Sequence, residues 1–284
     1  MKKQNNRSIE EVNERLREGT LSLFEKRRYK EYLAYIGQFP SYSANNQILI
    51  FCQSNGEATM VCGYTEWQKK NRHVVRGGKG FKILAPKKKK IEVEKKDASG
   101  NTVYDASGNP VMTTESRFIG FCTKTVFDVS QTAGDPVPSI TALFSGKVDG
   151  YVELMDILEA VSPVSITFEN GGYSGFDENT NLISIQRDLS QQQTVQKLLP
   201  SIASALLYKE TGKFYEAESL EAESCAYVVA NQLGIEQDYD FDYIADWYDG
   251  KSLDELSDTL KLIRAVSLSL IDDITKAAQE IAAA

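Results

Sequence analysis

The sequence predicts an α+β fold in two domains. The first has N-terminal helices with a small antiparallel sheet and a basic hairpin; the second is a helix/sheet domain. Three observations predict it. Apolar residues recur at helical spacing over 8–38, 190–208 and 252–281. Short runs of strand character lie between the helices, at 81–85, 117–127, 163–169 and 181–186. At 284 residues and 42% hydrophobic, the chain has enough for a packed core and exceeds a typical single domain.

The first helix is predicted over 8–38, where Ser8 and Glu11 fit a capping box and Val12, Leu16, Leu23, Tyr32, Leu33 and Ile36 form the apolar face. Gly19-Thr20 is read as a kink or split, and Phe39-Pro40-Ser41 as a breaker. A second helix starts at Ser41 or Ser43, runs to Cys52 and stops at Asn55-Gly56. A short helix is expected over 63–72. Gly77-Gly78 then turns the chain into a strand, Phe81 to Ala85. After Lys87–Lys90 comes alternating Ile91-Glu92-Val93-Glu94. Two copies of Asp-Ala-Ser-Gly-Asn, at 97–101 and 105–109, read as hairpin tips or a short flexible insertion. The return strand is Arg117 to Phe127, and Thr132–Pro138 is the expected linker, dividing the chain into 1–134 and 135–284.

The second half predicts a helix from Val148 to Val161, strands at Pro163–Glu169 and Asn181–Gln186 around a Gly171-Gly172-Tyr173 turn, then three helices. These are about Ser190–Tyr208, Ala217–Leu233 with acidic residues at its positive end, and 252–281.

His73 is the only histidine, which removes Ser-His-Asp triads and two-His zinc motifs. The four cysteines form no C-x-x-C pair and read as buried reduced thiols. No run approaches the ~20 apolar residues of a membrane span, and the charged start lacks the apolar stretch of a signal peptide, so a cytoplasmic location and no membrane partner are expected.

The net charge of −8 is unevenly divided. Residues 1–134 hold 23 Lys+Arg against 14 Asp+Glu, a net of +9; residues 135–284 hold 9 against 26, a net of −17. A polyanion-binding half joined to an acidic half follows. Lys69, Lys70, Arg72, Arg76, Lys79 and Lys82 fall within 14 residues, near Tyr64, Trp67 and Phe81. Cations beside aromatic rings are what a single-strand binder uses along phosphates and bases. Tyr42 fits a contact or a packing role. Asn45 and Asn46 can bond base edges or sugars, or brace the domain, and Trp67 fits either a stacking face or the core.

The runs Ser41–Ile50, Gly63–Trp67, Arg72–Pro86 and Val126–Thr132, in that order, resemble the N-terminal domain of ArdC-type antirestriction proteins. The resemblance implies that 1–134 binds single-stranded DNA and that the protein serves a plasmid, integrative element or phage in a bacterial host cell against restriction or other defence. It carries Tyr42, Asn45, Asn46, Tyr64, Trp67, Lys69, Lys70, Arg72, Arg76, Lys79 and Lys82 forward as DNA-binding residues.

Residues of about 180–250 resemble the zincin-like metallopeptidase domain that follows in such proteins, through Ile183-Ser184-Ile185, the helix Leu198–Tyr208 and Glu221–Val229. That family expects H-E-x-x-H, two histidines on zinc and a glutamate base. Aligned, those positions are Pro200, Ser201 and Ser204, with Glu223 at the third-ligand position. The resemblance therefore implies a degenerate domain with no catalytic residues, no metal and no cofactor. Glu223 is then expected to bond Ser201, Ser204 or Tyr208. A serine nucleophile paired with Lys209 or Glu223 has no support in spacing. Asp238, Asp240, Asp242, Asp246 and Asp249 lack the pattern of an EF-hand and read as a solvated face. The expected partners are single-stranded DNA and, through the acidic half, a host restriction or CRISPR-type defence protein, toward which that half can act as a DNA mimic. The competing readings are a metallopeptidase with unusual ligands and a protein-binding scaffold.

Overall fold

The structure, a computed structural model, describes residues 2–137, 150–236 and 238–283. It is α+β, with helices packed around three small sheets. Val148 and Pro138, at the edges of a predicted helix and of the predicted linker, lie outside the described residues.

The chain opens with α1 (Lys2–Leu23) and α2 (Lys26–Ile36). The break falls at Phe24-Glu25, not at Gly19-Thr20: Glu25 is extended, with φ −82° and ψ 132°. Gly19 sits inside α1 because a Cβ there would stand 3.0 Å from Cys52 Sγ, so it serves close helix packing and not a kink. Nor does Ser8 start the helix; its hydroxyl meets that of Thr123 at 2.9 Å. α3 (Ala44–Ser54) is capped by Ser43 and ends at Asn55 in the left-handed region, φ 53°.

β1 (Val61–Gly63), α4 (Tyr64–Lys69) and β2 (Arg72–Val74) replace the single short helix expected over 63–72. β3 (Phe81–Glu94) and β4 (Met112–Asp128) form one long antiparallel ribbon, and the lysine run lies within β3. The tip beyond is built from the two repeats. Asp97 accepts from the amides of Ser99 and Asn101, and Asp105 from those of Ser107 and Asn109, which holds both carboxyls below the usual range. β1, β4 and β3 make the first sheet, in that order. β5 (Thr132–Gly134) pairs with β2, so the first three residues of the predicted linker are a strand.

In the second half α5 (Tyr151–Val161) precedes β6 (Ser165–Glu169), β7 (Gly175–Asp177) and β8 (Leu182–Gln186). β8 is central, parallel to β6 and antiparallel to β7, which the sequence reading did not contain. α6 (Gln191–Thr211) starts with a Ser190/Gln193 capping box, and α7 (Leu220–Leu233) is capped by Ser219 and closed by Gly234. A short α8 (Ile244–Tyr248) and a long α9 (Leu253–Ala283) complete the chain.

One apolar core runs through both halves. Tyr29 of α2 shares a hydroxyl contact of 2.7 Å with Ser224 of α7 and meets Phe241 edge-on; Phe24 stacks on Trp247. From α9, Arg264 donates to Pro40 O (2.8 Å), Tyr42 O (2.5 Å) and Gln47 Oε1 (3.1 Å). Gln47 turns its amide nitrogen to Ile36 O and Phe39 O. Of the cysteines only Cys225 is buried; Cys52, Cys62 and Cys122 are half-buried, which corrects the reading of four buried thiols. Among the described residues no helix is long and apolar enough to cross a membrane.

Candidate nucleic-acid interface

The residues proposed from sequence divide into those left open to solvent and those spent on the fold. Tyr64 stands at the start of α4 with 51% of its surface exposed. Lys69, Lys70, Arg76, Lys79 and Lys82 are exposed. Lys69 pairs with Glu66 at 2.8 Å, and Lys82 donates to Thr125 Oγ1 across the ribbon. The loop carrying Arg76 and Lys79 is fixed from behind by Gln131, whose backbone oxygen accepts from Val75 N and whose side chain donates to Lys79 O at 2.6 Å. Gly77 in that loop has φ +92°, a conformation open to glycine, with nothing near its missing side chain. Two cations are thus held on a short, braced turn.

The other residues have different duties. Trp67 is 0% exposed and its Nε1 donates to Phe127 O at 2.9 Å, so its ring is core and has no free face for a base. Arg72 lies 5.9 Å from that ring and donates to Thr132 Oγ1, Thr132 O, Gly134 O and Asp135 O, stapling the chain that follows β4. Tyr42 donates to Val61 O, and burial pushes its phenol up to about 12. Asn45 is half-buried in the first turn of α3.

Asn46 seals a sheet edge. Its side-chain amide donates to Leu84 O at 2.8 Å and accepts from Leu84 N at 2.9 Å. Two helical turns on, Gln53 does the same for Lys82, with N–H and C=O both satisfied. The next outward position on β3 is Pro86, which has no N–H to offer. An edge strand that would otherwise expose a row of donors and acceptors is closed by two amides and an imino acid.

Sequence reasoning missed two exposed rings. Phe118 and Phe121 of β4 are 53% and 54% exposed and meet edge-to-face at 5.3 Å. The signal was Gly120 between them, at φ +121°.

In the second half, Pro200 is in the interior of α6, where proline leaves the carbonyl four residues back without its helical donor. Tyr239 supplies one: its hydroxyl donates to Gln196 O at 2.9 Å. Ser201 donates to Lys197 O at 2.6 Å, and Ser204 to Tyr215 O; both are fully buried. Glu223 bonds none of the expected residues. It accepts from Tyr243 at 2.7 Å, and burial raises its carboxyl above the usual range although that hydrogen bond works the other way. Burial likewise raises Glu221. These donors do not fit zinc: the hydroxyls are committed to backbone carbonyls and Glu223 to a tyrosine. Among the described residues no group of three or more His, Cys, Asp or Glu is placed to hold a metal ion.

Residues 2–127 match the model of the N-terminal domain of anti-restriction factor ArdC. Two solved structures of the antirestriction protein ArdC from plasmid R388 are similar to the chain. The metal-free one has a TM-score of 0.48 and 16% identity, covering 84% of this chain and 86% of that one. The Mn(II)-bound one has a TM-score of 0.48 and 15% identity, covering 84% and 85%. No curated protein matches the chain.

Proposed function

We propose that this chain is a non-catalytic, single-stranded DNA-binding protein of a mobile genetic element or phage. It would act in antirestriction inside a bacterial cell. Residues 1–134 bind the strand, and residues 135–284 are a degenerate zincin-like domain that docks a protein partner. The observation that carries the reading is the set of exposed cations Lys69, Lys70, Arg76, Lys79 and Lys82, with the Arg76–Lys79 loop braced by Gln131, and exposed Tyr64 in the same family-matched segment. Cations along the phosphates with an aromatic face for a base suit a strand whose bases are unpaired.

Titration of the full chain with a fluorescent 30-nucleotide single strand at two salt concentrations tests it. Wild type binds more weakly at the higher salt. Arg76→Glu with Lys79→Glu weakens binding at least about tenfold and flattens the salt slope by about 1.4, roughly 0.7 per phosphate contact on a single strand. Unchanged affinity and slope in the double variant would remove the loop from the interface.

The net charge of −17 over 135–284 favours one further role, DNA mimicry toward a defence nuclease. Inhibition of such a nuclease by the full chain, relieved by salt, is the expected result; no inhibition at low salt ends that role.

A further inference from the structure

Phe118 and Phe121 are three residues apart on one strand, so regular alternation would send them to opposite faces. Their rings nevertheless touch. The register explains it. Pro86 pairs with Phe121 and Lys88 with Phe118, so β3 advances two residues while β4 advances three. The extra residue is a β-bulge, and Gly120 at φ +121° supplies the backbone conformation it needs. The bulge turns both rings to one face. Cross-strand partners share a face, so that face also carries Lys88 beside Phe118 and Pro86 beside Phe121, with Lys90 two residues farther on.

A pair of half-exposed phenylalanines is costly to leave in water, and nothing in the apolar core covers them. On their own face Lys88 and Lys90 stand exposed next along β3, ahead of the first acidic residue, Glu92, and Lys87, Lys89 and Arg117 are exposed on the opposite face of the same stretch. A purely apolar partner would have to desolvate those charges. A polyanion with flat apolar faces matches both features, because phosphates meet the lysines while bases lie on the rings. A duplex hides its base faces, so the occupant is unpaired.

We infer that the Phe118–Phe121 pair, set on one face by the Gly120 bulge and flanked by Lys88 and Lys90, is a base-stacking platform for single-stranded DNA. It is separate from the Arg76–Lys79 loop. The inference deepens the proposed function and rests on it. The platform reads no sequence, since every base has a stacking face.

The test uses the full chain, a fluorescein-labelled dT30, an abasic 30-mer of the same backbone, and a 30-base-pair duplex. Wild type is expected to prefer dT30 over both other probes. Phe118→Ala with Phe121→Ala weakens dT30 binding about tenfold or more, leaves the salt slope unchanged and abolishes the preference over the abasic strand. Lys88→Gln with Lys90→Gln instead flattens the salt slope and keeps that preference. Because the rings are exposed, the alanine variant keeps the wild-type melting temperature. Phe118→Trp with Phe121→Trp retains binding, and its added indole emission is quenched by dT30 and not by the abasic strand. If the alanine variant binds dT30 like wild type while Arg76→Glu with Lys79→Glu does not, the platform is wrong and the cationic loop stands. If wild type binds no single strand, both readings fall.

Discussion

Glu223 shows how one side chain reports the state of the second half. Its carboxyl is pushed up by burial, and the group facing it is the Tyr243 hydroxyl. A carboxyl raised in the folded state stabilises the fold fully below its unfolded pKa. That contribution disappears as pH rises through the folded value. Glu223→Gln keeps an acceptor for Tyr243 and removes the titration. The variant should match wild type in melting temperature at acid pH and exceed it at neutral pH; an equal gap at both would mean that the carboxyl does not titrate with folding. Trp67 makes the corresponding point in the first half. Its indole is wholly buried, so Trp67→Ala is expected to cost about 3–5 kcal/mol in urea unfolding. Any loss of DNA binding in that variant should track the unfolded fraction.

Among the elements, the edge of β3 and the ribbon decide most. Asn46→Ala leaves the N–H and C=O of Leu84 without their side-chain partner, worth about 1–3 kcal/mol in urea unfolding at a site half-closed to water. A change below a few tenths would mean that water replaces the amide freely. These elements also show where the sequence was legible. The capped helices α3, α6 and α7 carry start signals in Ser43 and Ser190 and stop signals in Asn55 and Gly234, and periodicity found the buried face of α6. Arg72 is read from sequence as a DNA contact and Asn46 as a base contact or a brace, and the partners they take are backbone atoms of Thr132, Gly134, Asp135 and Leu84. Those atoms come close only after the chain folds, and no local pattern announces them. β7 was missed because three residues, Gly175–Asp177, carry too short an alternation to read. The exposed ring pair was missed because strand alternation is a rule of period two, and a single inserted residue reverses it.

At the scale of the molecule, the two halves share their interior. The chain has two tryptophans, Trp67 in the first half and Trp247 in the second, so each half carries its own reporter. In Trp67→Phe and Trp247→Phe, the remaining indole should report the same urea midpoint as far-ultraviolet circular dichroism of that variant, because Phe24, Tyr29 and Arg264 tie the halves together. Separated midpoints would show independent units. Arg264→Met, which strands acceptors on Pro40, Tyr42 and Gln47, should lower stability by about 2–3 kcal/mol and preserve the single transition.

The packing of Phe24 on Trp247 and of Tyr29 on Phe241 also limits what heredity can discard. Cutting the gene before Tyr151 would leave those two rings of the leading half facing water. Whatever residues stand at positions 201 and 204, the helices that hold them must be inherited with the leading half, as the keel to its hull.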